Sequence, residues 1–143
     1  MLTNSCIHPQ IIYETAKCGH GSKILITDAN YPLEEKTGNA VKVYLGLCPG
    51  IPDACDVLKS LLSVIRVESA SVMVPETGEE PEIFREFRKE LKFEMLQPMS
   101  RQDFYDYCMK DGNIALAINT GEERTFANII LTVGVASTVQ GKV

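Results

Sequence analysis

Apolar positions along the chain recur with two different periods, and the switches between them lay out a series of elements. Ile11, Ile12, Thr15 and Ala16 share one helical face behind Pro9, whose fixed φ suits a first helical turn, and Gly19 is the expected stop. Residues 23–28 read as a strand broken by Asn30-Tyr31-Pro32, and residues 33–39 read as a polar loop. Val41, Val43 and Leu45 alternate as a second strand. After a turn at Pro49-Gly50-Ile51-Pro52, Ala54, Val57, Leu58, Leu61, Leu62 and Ile65 return to helical spacing. A strand over 67–74, closed by Pro75-Glu76-Thr77-Gly78, precedes a helix marked by Ile83, Phe84, Phe87 and Leu91. A short strand from Phe93 to Leu96 leads to Pro98. Ser100, with Asp103 three residues on, predicts a capped helix carrying Phe104, Tyr105 and Cys108. Residues 114–118 and 127–133 are the last strands, around the loop 119–125.

Helices and strands alternate from end to end, which predicts an α/β fold, a mostly buried sheet covered by helices. No repeat, linker or low-complexity stretch interrupts it, so the expectation is a single domain over residues 1–143. That length suffices to bury a sizeable core. With 45% hydrophobic and 23% charged residues the composition is that of an ordinary globular protein. A net charge of −5, with basic residues interleaved among acids as in Arg85-Glu86-Phe87-Arg88-Lys89-Glu90, argues against nucleic acid as a partner. No apolar run approaches the roughly 20 residues that a membrane helix needs. The first ten residues lack the basic-then-apolar pattern of a secretory signal. Five scattered cysteines suit reduced thiols, and with them a cytoplasmic location. The two histidines show no zinc-ligand spacing, so no metal is expected.

Three places carry candidate chemistry. In Gly19-His20-Gly21 the flanking glycines free the backbone to approach a ligand, and an imidazole there can act as a general acid or base. A helix stop followed by an exposed loop histidine explains the same residues. Asp28 ends the strand that follows, where α/β proteins gather ligands, although an Asx-turn cap into Asn30-Tyr31-Pro32 would also place an aspartate there. Asn128 opens an otherwise apolar strand and needs partners if buried: it caps the ladder or hydrogen-bonds a polyhydroxyl ligand. Arg101, a cation at a helix N-terminus, opposes the helix dipole and is either solvated or held for binding. No phosphate loop and no Ser-His-Asp or Cys-His arrangement is present. The set suits proton transfer on a neutral polar ligand.

Two stretches, GHGSKILITDANYP (19–32) and GEERTFANIILTVGV (121–135), together resemble the RbsD/FucU family of D-ribose pyranases and L-fucose mutarotases. The resemblance implies an RbsD-like fold and a cofactor-independent mutarotase, an isomerase that interconverts sugar anomers. It implies that His20 is the catalytic acid and that Asp28 binds the sugar. Phe126, Ala127 and Asn128 occupy the places of the family's late tyrosine-small-asparagine triplet, so Phe126 departs from it by lacking the phenol. Arg101 ahead of Phe104-Tyr105 is similar to the fucose branch, where the ribose branch has a histidine, and points to L-fucose as the monosaccharide. D-ribose, or sugar binding without catalysis in association with transport, are the alternatives. Tyr31, Tyr105 or Tyr107 would have to supply any missing hydroxyl. The resemblance further implies a ring-like homo-oligomer, commonly a decamer, with sites completed by a neighbouring subunit.

Overall fold

The computed structural model describes residues 1–137. In chain order the elements are α1 (Pro9–Lys17), β1 (Lys23–Thr27), β2 (Val41–Tyr44), α2 (Ala54–Leu62), β3 (Val67–Met73), α3 (Glu82–Leu91), β4 (Gln97–Met99), α4 (Arg101–Met109), β5 (Leu116–Asn119) and β6 (Ile129–Val133). One six-stranded sheet runs in the order β2-β5-β1-β6-β3-β4. β2, β5 and β1 pair in parallel, as do β3 and β4, while β6 lies antiparallel between β1 and β3. The C-terminal ends of the other five strands therefore share one edge of the sheet with the start of β6.

Apolar side chains leave both faces of the sheet, which is why its central strands read as continuous apolar runs. On one face Ile24, Ile26, Leu116, Ile118, Ile129 and Leu131 pack under the three helices α1 to α3. On the other, Leu25, Ala117 and Ile130 meet Phe104 and Cys108 of α4, with Tyr31 and Leu33 from the segment after β1. That segment is a loop, as its composition suggests, but two of its side chains turn inward. Leu33 and Thr37 are buried, the Thr37 hydroxyl donates to the Leu33 carbonyl at 2.7 Å, and the Tyr31 hydroxyl donates to the Lys36 carbonyl at 2.8 Å.

Two boundaries also depart from expectation. α1 ends on Cys18 in extended geometry rather than on Gly19, and the left-handed residue in this turn is Gly21, at φ 87°. The short strand expected over 93–96 lies instead at Gln97–Met99 and runs through Pro98. β4 is an edge strand, so the proline's missing N–H leaves no ladder bond unmade. The helix starts follow ordinary capping. Pro9 opens α1 while the His8 ring accepts from the Ile11 N–H, Asp53 and Asp56 form a capping box on α2, and Ser100 accepts from the Asp103 N–H. Among the described residues no helix is long and apolar enough to cross a membrane.

Candidate functional site

At the shared strand edge a cavity of about 180 Å³ is lined by Asp28, Asn30, Tyr31, Met73, Arg101, Tyr105, Thr125, Phe126 and Asn128. Four of the six residues singled out in the sequence meet there. Asp28 leaves the end of β1 and is only 2% exposed. Its carboxylate accepts the Asn30 N–H at 2.9 Å, and its own N–H donates to the Asn128 side-chain oxygen at 2.9 Å. Burial pushes the Asp28 carboxyl above the usual carboxylate range; hydrogen bonds from the backbone N–H groups of Asn30, Ala127 and Tyr31 and from the Asn128 side chain oppose that rise only in part. The structural explanation holds for both Asp28 and Asn128. Asp28 makes an Asx turn and Asn128 caps the ladder, and in doing so each presents its polar end to one pocket.

Phe126 supplies the wall. Its φ of 61° is left-handed, a conformation that costs a bulky residue on the order of 1–2 kcal/mol and that gathers at functional sites. The turn it makes carries the chain through buried Ala127 into Asn128 at the mouth of β6. The Arg101 guanidinium stands 5.3 Å from the centre of the Phe126 ring. This cation–π contact places a positive group beside the pocket despite the unfavourable helix dipole. Of the three tyrosines that could provide a hydroxyl, Tyr31 spends its own on the Lys36 carbonyl, and Tyr107 does not line the cavity. Tyr105 is half-buried at the pocket wall, its ring edge-on to Tyr31 with centres 5.4 Å apart.

His20 lies elsewhere. The five residues of β1 separate it from Asp28, and at about 3.3 Å per strand residue the two stand on the order of 20 Å apart, at opposite edges of the sheet. There His20 is exposed, with Nε2 3.0 Å from a Glu68 carboxylate oxygen at the start of β3. Sequence reasoning did not single out Glu68, Asn30, Met73 or Thr125. Asn30 and Thr125 lie inside the early and late motifs and were open to discovery, whereas a lone glutamate or methionine in a strand gives no signal.

Two features lie beside the pocket. Glu122, buried in the glycine-acid loop, accepts from Arg124 and from the Ala54 N–H, so it ties that loop to the start of α2. Burial pushes its carboxyl up, but the hydrogen bonds from Arg124 and Ala54 prevail and hold it below the usual range. A second cavity, of about 510 Å³, opens on the far side of Asn30 between Gly46–Pro49 and Asn119–Gly121. The buried carboxylate, the amide and the guanidinium all converge on the smaller one, which makes it the candidate site. Among the described residues no group of three or more His, Cys, Asp or Glu side chains is placed to hold a metal ion.

A mixed α/β sheet with a compact polar pocket at its strand ends is the arrangement of a protein that binds a small polar ligand. The chain belongs to the RbsD / FucU transport protein family, which matches residues 1–136. It is 28% identical to a D-ribose pyranase of Clostridium tetani over 129 residues, covering 90% of this chain and 94% of that one. The structure superposes on RbsD of Bacillus subtilis complexed with D-ribose, with a TM-score of 0.81 and 26% identity, over 96% of this chain and 100% of the other. It also superposes on the fucose mutarotase of Streptococcus pneumoniae in complex with L-fucose, with a TM-score of 0.76 and 26% identity, over 92% and 95% of the two chains. Relatives of this chain are therefore sugar pyranases and mutarotases, and complexes with two different monosaccharides are known among them.

Proposed function

We propose that this chain is a single RbsD/FucU-like domain over residues 1–143 acting as an aldose mutarotase, with L-fucose as its substrate. The observation that carries the reading is the convergence of Asp28, Arg101 and Asn128 on one cavity beside the Phe126 ring. An acceptor, a charged donor and an amide answer a sugar's hydroxyls, while the ring covers its apolar face. Positioning by these groups lowers the barrier without covalent chemistry. Arg101 at the pocket favours L-fucose, the branch in which an arginine holds that place.

Mutarotation requires a proton on the ring oxygen as the bond from it to the anomeric carbon breaks, and loss of the anomeric hydroxyl proton to water. The open aldehyde turns about its adjacent bond and recloses with the opposite configuration. These are proton transfers alone, so neither metal nor organic cofactor enters the scheme. His20 is the acid, and its distance from Asp28 in one copy means that the His20 reaching a given sugar comes from a neighbouring copy. The working form is then a cytoplasmic homo-oligomer, for which a decameric ring is the family's common arrangement.

The test is saturation-transfer NMR of α-to-β exchange with L-fucose and D-ribose side by side. Acceleration of fucose exchange is the expected result. Acceleration of ribose alone would replace it with a D-ribose pyranase, the reading that the clostridial relative favours. Binding without acceleration of either would identify a non-catalytic, transport-associated sugar binder and point to the phenol missing at Phe126.

A further inference from the structure

The pairing of His20 with Glu68 joins residues 48 positions apart, and three backbone features bring it about. The turn carrying His20 is fastened to the end of β6: the Gly21 N–H donates to the Val133 carbonyl at 2.8 Å, and the Val133 N–H donates to the Ser22 carbonyl at 2.9 Å. On the other side of β6, the register against β3 slips by one between Val67, opposite Val133, and Ser69, opposite Thr132. Glu68 is the extra residue of that bulge, and bulges re-aim a side chain that a regular ladder would send elsewhere. Gly134 then passes close by. A Cβ there would sit 3.1 Å from the Glu68 Cβ and 3.4 Å from its nitrogen, while the Gly134 N–H donates to the Arg66 carbonyl at 2.8 Å.

As a device for stability this makes little sense. The two side chains are 58% and 45% exposed, and an open ion pair of this kind contributes little. As a device for orienting an imidazole it is well formed. An ionised carboxylate only accepts hydrogen bonds, so the ring nitrogen facing it must carry a proton, and the other nitrogen is turned away from it. We infer that Glu68 is a positioning residue for His20, fixing Nε2 as a donor and leaving Nδ1 as the nitrogen that exchanges its proton with the sugar. The imidazolium gives its Nδ1 proton to the ring oxygen on opening and becomes the neutral Nε2–H ring, which takes that proton back from the hydroxyl on closure, while Nε2–H stays with Glu68 throughout. This inference rests on the mutarotase reading above.

The experiment uses the full chain, ¹⁵N-labelled, with long-range ¹H–¹⁵N spectra of the His20 ring assigned by comparison with His20→Ala. Wild type is expected to show a single Nε2–H tautomer when neutral, and Glu68→Ala a mixture of both. Fucose exchange at saturating sugar is expected to fall about ten-fold in Glu68→Ala and Glu68→Gln, within the range that orienting partners of an imidazole have elsewhere. The sugar concentration giving half-maximal rate should stay unchanged, and Glu68→Asp should recover part of the rate. Glu68 is exposed, so these variants fold. An unchanged tautomer in Glu68→Ala, or wild-type exchange in both Glu68→Ala and Glu68→Gln, would overturn the inference. If wild type accelerates neither sugar, the mutarotase reading is what fails, and the ring spectra alone decide whether Glu68 fixes the imidazole.

Discussion

The two ends of β1 treat their polar residues in opposite ways. At the exit, Asp28 and Asn128 are buried and hydrogen-bonded to each other and to the surrounding backbone, so the pocket is set before any ligand arrives. At the entrance, His20 and Glu68 are largely exposed and, among the described residues, are held by each other and by the turn beneath. On the proposed function, groups that bind are built into the core here, and the group that reacts is offered outward. A substitution at the first end therefore disturbs fold and ligand together, whereas one at the second touches chemistry alone.

The largest expected effect separates these roles most sharply. His20→Ala should slow anomer exchange by about 10²–10⁴-fold, the usual contribution of a general acid, with a melting temperature close to wild type. Co-expression of His20→Ala with Asp28→Ala should yield mixed oligomers that regain exchange, because each contributes the residue the other lacks. Exchange that stays absent in such mixtures would place both residues of a working site in one copy.

Asp28→Asn comes next, with sugar affinity expected to fall about ten- to a hundred-fold by titration calorimetry, since a hydrogen bond to a charged group is lost. Its stability carries a pH signature. The folded-state value of Asp28 lies above its ordinary 3.8, so ionisation weakens the folded wild type as pH rises through the window between the two, and the penalty is complete above the folded value. Asparagine has no such penalty. The melting temperature of Asp28→Asn relative to wild type should therefore improve from below that window to above it, and a difference independent of pH would refute the burial argument. Phe126→Tyr should have the smallest effect, a few-fold gain in sugar affinity or exchange with little change in melting temperature, because the ring and its contact with Arg101 remain.

Much of this was legible in the sequence wherever local pattern decides the outcome. Ile24 to Ile26 and Ile129 to Leu131 announce buried strands, and Pro9 and Ser100 announce helix starts. Pro98 misled because its tolerance depends on β4 lying at an edge, which is a property of the sheet and not of the segment. Residues 33–39 form the loop their composition announces, but that Leu33 and Thr37 turn inward depends on α4 packing over them and not on the segment. The pocket was legible as two motifs; that Asp28 meets Asn128 across a hundred residues depends on β1 and β6 being neighbours, which no local spacing encodes. The distance of His20 from that pocket was hidden for the same reason. Glu68 was invisible, since a bulge is a mismatch between two strands and exists only once they pair.

The reversed strand β6 has one more consequence, for how the molecule can change. Its first residue adjoins Asn128 and its last adjoins Gly134, so five residues span the gap between the pocket and the His20–Glu68 pair of the same copy. Deleting one residue would shorten that gap by about 3.3 Å and, in the same stroke, swap which side chains face each of the two cores. Length and packing are thus locked to a single count. Point changes at the pocket rim, such as at Arg101 and Phe126, leave that count untouched, while the spacing between the two ends of β6 cannot be trimmed.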